Sequence, residues 1–168
     1  MKNILFYLSV IIFFSCDSAK IDENIIKEAI VHANDASILG ILPGDDFSKI
    51  EDKLKTNYPN WKYRKDEDGA IQLRTEWAKK EYINVTYYTE DEKVYSISIT
   101  VKGLNENAAQ IRRLNNEIYD MLDKSNSFKK DVANTWNFED LYTISFNSSN
   151  YKGDDIEESF TIRLNKKQ

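Results

Sequence analysis

The sequence predicts an α+β fold, with two helices packed on one face of a mostly antiparallel sheet as a two-layer sandwich in the order α-ββββ-α-ββ. Three observations lead there. Apolar and polar residues alternate with period two over three successive runs between residues 71 and 101, the pattern of strands with one buried and one wet face. Two other segments repeat apolar residues at steps of three and four, the signature of a helix with one buried stripe. The gaps between the strand runs are short, which suits antiparallel neighbours. A helix stripe and a sheet face must each be buried, and packing one on the other satisfies both.

The first helix is expected after the Pro43-Gly44 turn, with Asp45 or Asp46 as its cap. Phe47, Ile50, Leu54 and Tyr58 share one face, and Pro59 stops the helix. Trp61-Lys62-Tyr63-Arg64 reads as a short strand before an Asp66-Glu67-Asp68-Gly69 turn. Ile71, Leu73, Thr75 and Trp77 then alternate with Gln72, Arg74 and Glu76, and Ala78-Lys79-Lys80 turns the chain. Ile83, Val85 and Tyr87 alternate with Tyr82, Asn84, Thr86 and Tyr88 up to a Glu90-Asp91-Glu92 turn. In the fourth strand Tyr95, Ile97, Ile99 and Val101 are expected inside, with Ser96, Ser98 and Thr100 outside. The second helix starts near Asn105, a cap residue after Gly103, and its stripe is Leu104, Ala108, Ile111, Leu114, Ile118, Met121 and Leu122. Residues 123–135 read as a mostly polar connection, with Phe128 and Val132 as candidates for packing. Tyr142, Ile144 and Phe146 make one more strand, residues 150–155 a turn, and Phe160, Ile162 and Leu164 the last strand.

Upstream, Ile25, Ile26, Ala29, Ile30 and Ala33 recur at helical spacing, so residues 22–34 suggest an extra short helix ended by Asn34-Asp35. The domain organisation expected is a signal peptide over 1–15, a lipidated N-terminus and tether or short helix over 16–35, and a single α+β domain over 36–168.

The first segment carries its own logic. Met1-Lys2-Asn3 bears one positive charge, and an apolar run from Ile4 to Phe14 follows, broken only by Ser9. Eleven residues fall well short of the roughly 20 that a membrane span needs. Charge, short apolar core and small residue (Ser15) follow in the order of a secretory signal peptide. Phe13-Phe14-Ser15-Cys16 resembles the lipobox of bacterial lipoproteins, with Phe13 where that pattern has an aliphatic residue. The resemblance implies cleavage before Cys16, acylation of its sulfur with chains such as palmitate, and a bacterial cell-envelope location, at the outer membrane before the inner. Cys16 is the only cysteine, so no internal disulfide competes for it. More than one acyl chain anchors stably, at about 0.8 kcal/mol per buried CH₂. The polar stretch Asp17-Ser18-Ala19-Lys20-Ile21-Asp22-Glu23-Asn24 would serve as tether.

The chain of 168 residues carries 23 basic and 28 acidic side chains, a net of −5, which becomes −6 without residues 1–15 because they hold one lysine and no acid. That balance argues against nucleic acid and against an anionic lipid surface as electrostatic partners. Ten tyrosines, eight phenylalanines and three tryptophans against two prolines suit a β-rich globular domain.

Two segments carry a second resemblance. Ile38-Leu39-Gly40-Ile41-Leu42-Pro43-Gly44-Asp45-Asp46-Phe47-Ser48-Lys49-Ile50 is similar to the glycine-turn-helix opening of SmpA/OmlA (BamE-like) and β-lactamase-inhibitor-like envelope modules. Tyr87-Tyr88-Thr89-Glu90-Asp91-Glu92-Lys93-Val94-Tyr95-Ser96-Ile97 resembles their strand-turn-strand ending. The resemblance, over residues 38–101, implies a two-layer α+β unit that binds other envelope proteins.

Catalytic patterns are sparse. His32 is the only histidine and has no fixed partner in sequence, so a packing or surface role is expected for it rather than a Ser-His-Asp or Cys-His site. Zinc would need a second histidine or a spare cysteine. The acidic turns at Asp45-Asp46, Asp66-Glu67-Asp68, Glu90-Asp91-Glu92 and Asp154-Asp155 read as solvated turns, and Asp66-x-Asp68-Gly69 lacks the other oxygen ligands of a calcium loop. There is no glycine-rich phosphate loop, and no carboxylate pair is nominated for glycoside hydrolysis. Neither a metal nor a cofactor is expected. The wet sheet face is the suggestive surface: Tyr82, Tyr88, Arg74 and Asn84 stand on it, and tyrosine and arginine are enriched at interfaces. The expected function is a non-enzymatic envelope lipoprotein that binds another envelope protein or assists an assembly. The alternatives are an immunity or inhibitor lipoprotein, and a small-molecule or glycan binder or carboxylate-based hydrolase.

Overall fold

A computed structural model describes residues 37–153 and 156–167. The signal segment, Cys16, the tether, the helix over 22–34, His32 and the Asp154-Asp155 turn lie outside the described residues. The fold is α+β, with two described helices and one mostly antiparallel sheet of eight strands.

Helix α1 spans Phe47–Asn57 and buries Ile50 and Leu54. Asp46 takes the cap position but makes no side-chain cap bond; its carboxylate accepts from Lys49 Nζ at 2.8 Å instead. Asp45 turns back to accept from the Leu42 backbone N–H at 3.0 Å. The helix start is secured through the main chain: Gly44 N–H donates to the Val94 carbonyl at 2.6 Å, and Phe47 N–H to that of Glu92 at 2.8 Å. The four strands that follow are β1 (Lys62–Lys65), β2 (Ile71–Ala78), β3 (Glu81–Glu90) and β4 (Lys93–Leu104). Helix α2 (Glu106–Lys124) comes next, then β5 (Phe128–Val132), β6 (Thr135–Phe138), β7 (Tyr142–Lys152) and β8 (Ile156–Lys166).

The order is therefore α-ββββ-α-ββββ, and the expected α-ββββ-α-ββ is corrected by the hairpin β5–β6. Its strands are short, and β5 buries only Phe128, while Val132 is exposed rather than packed. One inward residue leaves no alternation to read. The turn expected over 150–155 also shortens, because β7 continues to Lys152.

The strands lie in the order β1-β2-β3-β4-β8-β7-β6-β5, so two meanders meet where β4 pairs with β8. The register aligns apolar residues in rows across the sheet. One row runs Ile71, Tyr87, Ile97, Leu164, Ile144 and Trp136; the next runs Leu73, Val85, Ile99, Ile162 and Phe146. These side chains are all buried and share one core cluster with Ile50 and Leu54 of α1 and with Ile111, Leu114, Ile118 and Leu122 of α2. Helix α2 packs on β4, β8 and β5. It approaches β4 so closely that a Cβ on Gly103 would lie 2.7 Å from Ile111 Cγ1, a distance no side chain tolerates, hence the glycine.

Two buried glutamates fix the start of α2. Glu81 accepts from the Leu104 N–H at 2.6 Å and from Asn107 Nδ2 at 3.1 Å, and Arg112 donates its Nε to Glu158 at 2.9 Å. Buried carboxylates need such partners, since an unpaired one costs several kcal/mol, by a typical estimate of about 3–5. Asn105, at the cap position, makes no side-chain cap bond; its Oδ1 accepts from the Ile156 N–H at 3.1 Å.

Candidate functional site

The opposite face of the sheet carries the polar members of the same alternation. Gln72, Thr86, Ser98, Arg163 and Ser145 form one row; Arg74, Asn84, Thr100, Thr161 and Asn147 form the next. Small hydroxyls tie the central strands: Thr100 and Thr161 share a hydrogen bond at 2.9 Å, and Ser96 Oγ donates to Asn165 Oδ1 at 2.7 Å.

The four residues singled out from sequence stand on this face but fall into two groups. At one end Arg74 and Asn84 are cross-strand neighbours, and the Arg74 guanidinium lies 3.9 Å from the centre of the Tyr82 ring. Glu76 engages Arg74 at 2.8 Å, and Asn84 Nδ2 donates to Thr86 Oγ1 at 3.0 Å. Tyr88 is six residues further along β3, about 20 Å away at roughly 3.3 Å per residue. It belongs to a second group, which the sequence reading missed.

That group is built around a β-bulge. Tyr88 pairs with Ser96 and Thr89 with Val94, so Tyr95 is the extra residue. The bulge overturns the expectation that Tyr95 faces inward with Ile97. Val94 is buried in its place, and Tyr95 is 49% exposed with its ring 6.2 Å from that of Tyr88. A signal was present, because Val94 and Ile97 are three apart and strict alternation cannot put both inside. The Arg163 guanidinium approaches Tyr88, 5.6 Å from the ring centre. Its place on β8 follows from the alternation of Thr161, Arg163 and Asn165 with Phe160, Ile162 and Leu164.

The two tyrosines separate two hollows. The larger, about 350 Å³, is lined by Asp66, Asp68, Ala70, Gln72, Thr86, Tyr88, Thr89 and Tyr95. The smaller, about 120 Å³, is lined by Tyr88, Tyr95, Ser96, Arg163 and Asn165. The wall formed by the β1–β2 turn is held on three sides. Asp66 accepts from Gln72 Nε2 at 2.8 Å and pairs with Arg64 at 2.9 Å. Thr89 Oγ1 donates to the Gly69 carbonyl at 3.0 Å, and Gly69 holds a φ of +82° that favours glycine. Asp68 is exposed at the rim. A separate hollow of about 240 Å³, lined by Leu39, Tyr58, Pro59, Trp61 and Thr75 among others, lies at the C-terminal end of α1.

Among the described residues no group of three or more histidine, cysteine, aspartate or glutamate side chains stands together to hold a metal ion, and no helix is long and apolar enough to cross a membrane. No family model, curated protein or solved structure matches the chain.

Proposed function

We propose that this chain is a bacterial envelope lipoprotein, cut before Cys16 and anchored through lipid on that residue at the outer membrane. Its α+β domain, a two-layer unit of the SmpA/OmlA (BamE-like) or β-lactamase-inhibitor-like kind with both helices on the apolar face of the sheet, binds another envelope protein without catalysing a reaction. The signal-like segment supports the address. One observation carries the binding reading: the polar sheet face displays tyrosine and arginine in contact, Arg74 on Tyr82 at one end and Arg163 by Tyr88 and Tyr95 at the other. Aromatic and arginine side chains are the residues that dominate protein interfaces. The rival, hydrolysis by a carboxylate pair, draws on Asp66 and Asp68 in one hollow. Asp66, however, is already engaged by Arg64 and Gln72, which leaves one carboxylate where that chemistry needs two. An immunity or inhibitor lipoprotein would use the same surface against a toxin or enzyme.

A photo-crosslinking side chain at Tyr82 in the full chain, expressed in the cells it comes from, tests the reading. A discrete adduct from Tyr82, absent when the probe replaces the exposed Asn116 of α2, is the expected result. Equal labelling from both positions, or none from Tyr82, refutes it. In the same cells Cys16→Ser should move the chain out of the membrane fraction or stall its processing, and unchanged fractionation refutes the anchor.

A further inference from the structure

We infer that the larger hollow beside Tyr88 and Tyr95 receives a cationic side chain, arginine or lysine, presented by the protein partner. This deepens the binding reading and rests on it. Four observations converge. The first is the sign of the charge. The ionisable side chains lining the hollow are Asp66, Asp68 and two tyrosines, and no basic residue lines it. Among the flanking elements, Arg64 faces Asp66 and is consumed by it, Arg163 lies on the far side of the Tyr88–Tyr95 wall in the smaller hollow, and Lys93 lies in the β3–β4 turn region beside Glu90, Asp91 and Glu92. The uncompensated charge at the rim is that of Asp68. An anion would meet repulsion here and a cation would not.

The second observation is aromatic. Tyr88 and Tyr95 form a wall whose rings stand at 43° to one another, and the faces of such rings attract ammonium and guanidinium groups. The protein uses this contact at the other end of β3, where Arg74 lies on Tyr82. The third is the bulge that creates the wall. Strict pairing would send residue 95 into the core; the extra residue instead buries Val94 and turns the tyrosine outward, where about half of it stays exposed. Bulges recur beside binding sites because they re-aim one side chain in this way. The fourth is preformation. The acidic wall is fastened by Gln72, Arg64 and the Thr89–Gly69 bond, so little ordering remains to be done on binding. A volume of about 350 Å³ lies at the lower end of the roughly 300–1,000 Å³ of ligand pockets and suits one long side chain rather than a folded domain.

The test uses the full isotope-labelled chain in detergent micelles, titrated with the capped peptides Gly-Gly-Arg-Gly-Gly and Gly-Gly-Glu-Gly-Gly and with a neutral trisaccharide of N-acetylglucosamine. Backbone amide resonances are followed. The arginine peptide should shift the amides of residues 66–70, 86–89 and 95, saturate in the millimolar range, and weaken as salt is raised. Asp68→Asn, an exposed turn substitution that leaves the core untouched, should weaken the arginine peptide about two- to five-fold. Tyr95→Ala should weaken it by a similar factor. The inference is overturned if the arginine peptide shifts nothing there, if the glutamate peptide shifts the same amides, or if the trisaccharide binds there as well as or better than the arginine peptide. A crosslinked partner at Tyr82 with a silent hollow would sink this inference alone; a responsive hollow without a crosslinked partner would sink the binding reading, and with it the protein source of the cation.

Discussion

The two faces of the sheet are made from the same strands, residue by alternate residue, and do opposite work. On the inner face whole rows are large and fully buried, from Ile71 and Tyr87 to Ile144 and Trp136. Each such side chain contributes about 1.5–3 kcal/mol by leaving water. On the outer face the equivalent rows hold threonine, serine, asparagine and arginine, joined by single hydrogen bonds. A net hydrogen bond is worth only about 0.5–1.5 kcal/mol. The inner face therefore carries most of the folding free energy, and the outer face is left free to present chemistry, including the half-exposed Tyr95 at the bulge.

The contrast can be broken at several points. Trp136 is fully buried and meets the Tyr119 ring edge-on at 5.2 Å. Trp136→Ala should lower unfolding free energy in urea by about 3–5 kcal/mol, and a loss below about 1 would mean that β6 is not part of the cooperative core. On the outer face Thr161→Ala removes the bond to Thr100 between the two central strands and should lower it by about 1 kcal/mol. A loss rivalling that of Trp136 would erase the distinction between the faces. The smallest effect at neutral pH belongs to Tyr87, whose buried hydroxyl has no hydrogen-bond partner among the described residues. Tyr87→Phe should leave stability at pH 7 unchanged or raise it by up to about 1 kcal/mol, since no bond is lost and an unpaired buried hydroxyl is removed.

The same residue should show itself in alkali. Burial, with a further push from Tyr58, holds the Tyr87 phenol well above its usual 10.0. In the unfolded chain the phenol ionises near 10 while in the fold it keeps its proton. The unfolded state thus binds fewer protons there, and stability falls as pH rises past 10. Tyr87→Phe should flatten that fall in urea midpoints measured from pH 8 to 11. Part of the slope should survive, because burial and the neighbouring Glu51 carboxylate raise Tyr63 as well. An unchanged alkaline limb in the variant would show that Tyr87 ionises without unfolding.

Much of this architecture was legible. The first helix, the four-strand meander and the second helix are long or strongly periodic, and Gly69 and Pro59 mark their breaks. The hairpin β5–β6 escaped because an edge strand such as Phe128–Val132 with one inward side chain has no alternation to read, and because Thr135–Phe138 is too short to establish one. The helix caps fall where the sequence puts them, at Asp46 and Asn105, but their side chains bond to Lys49 and Ile156 and not to the helix's own N–H groups. Of the candidate surface, Arg74, Tyr82 and Asn84 do come together. The group around Tyr88 depends on Tyr95 and Arg163, and the first of these was hidden by a bulge, where one extra residue reverses the face of a side chain.

The meeting of β4 with β8 in the middle of the sheet has a consequence for how the protein is made. The two strands are separated by 61 residues at the Thr100–Thr161 bond, and β8 is the last of the eight to be synthesised. Until it arrives, β4 offers a bare edge along Ser96-Ile97-Ser98-Ile99-Thr100-Val101, an apolar, uncharged, strongly β-forming stretch of the kind that pairs with other chains. The first four strands can form early, but their sheet stays open to strangers. What closes it is the final strand, so the strand pairing most distant in sequence is also the one that removes the edge open to aggregation.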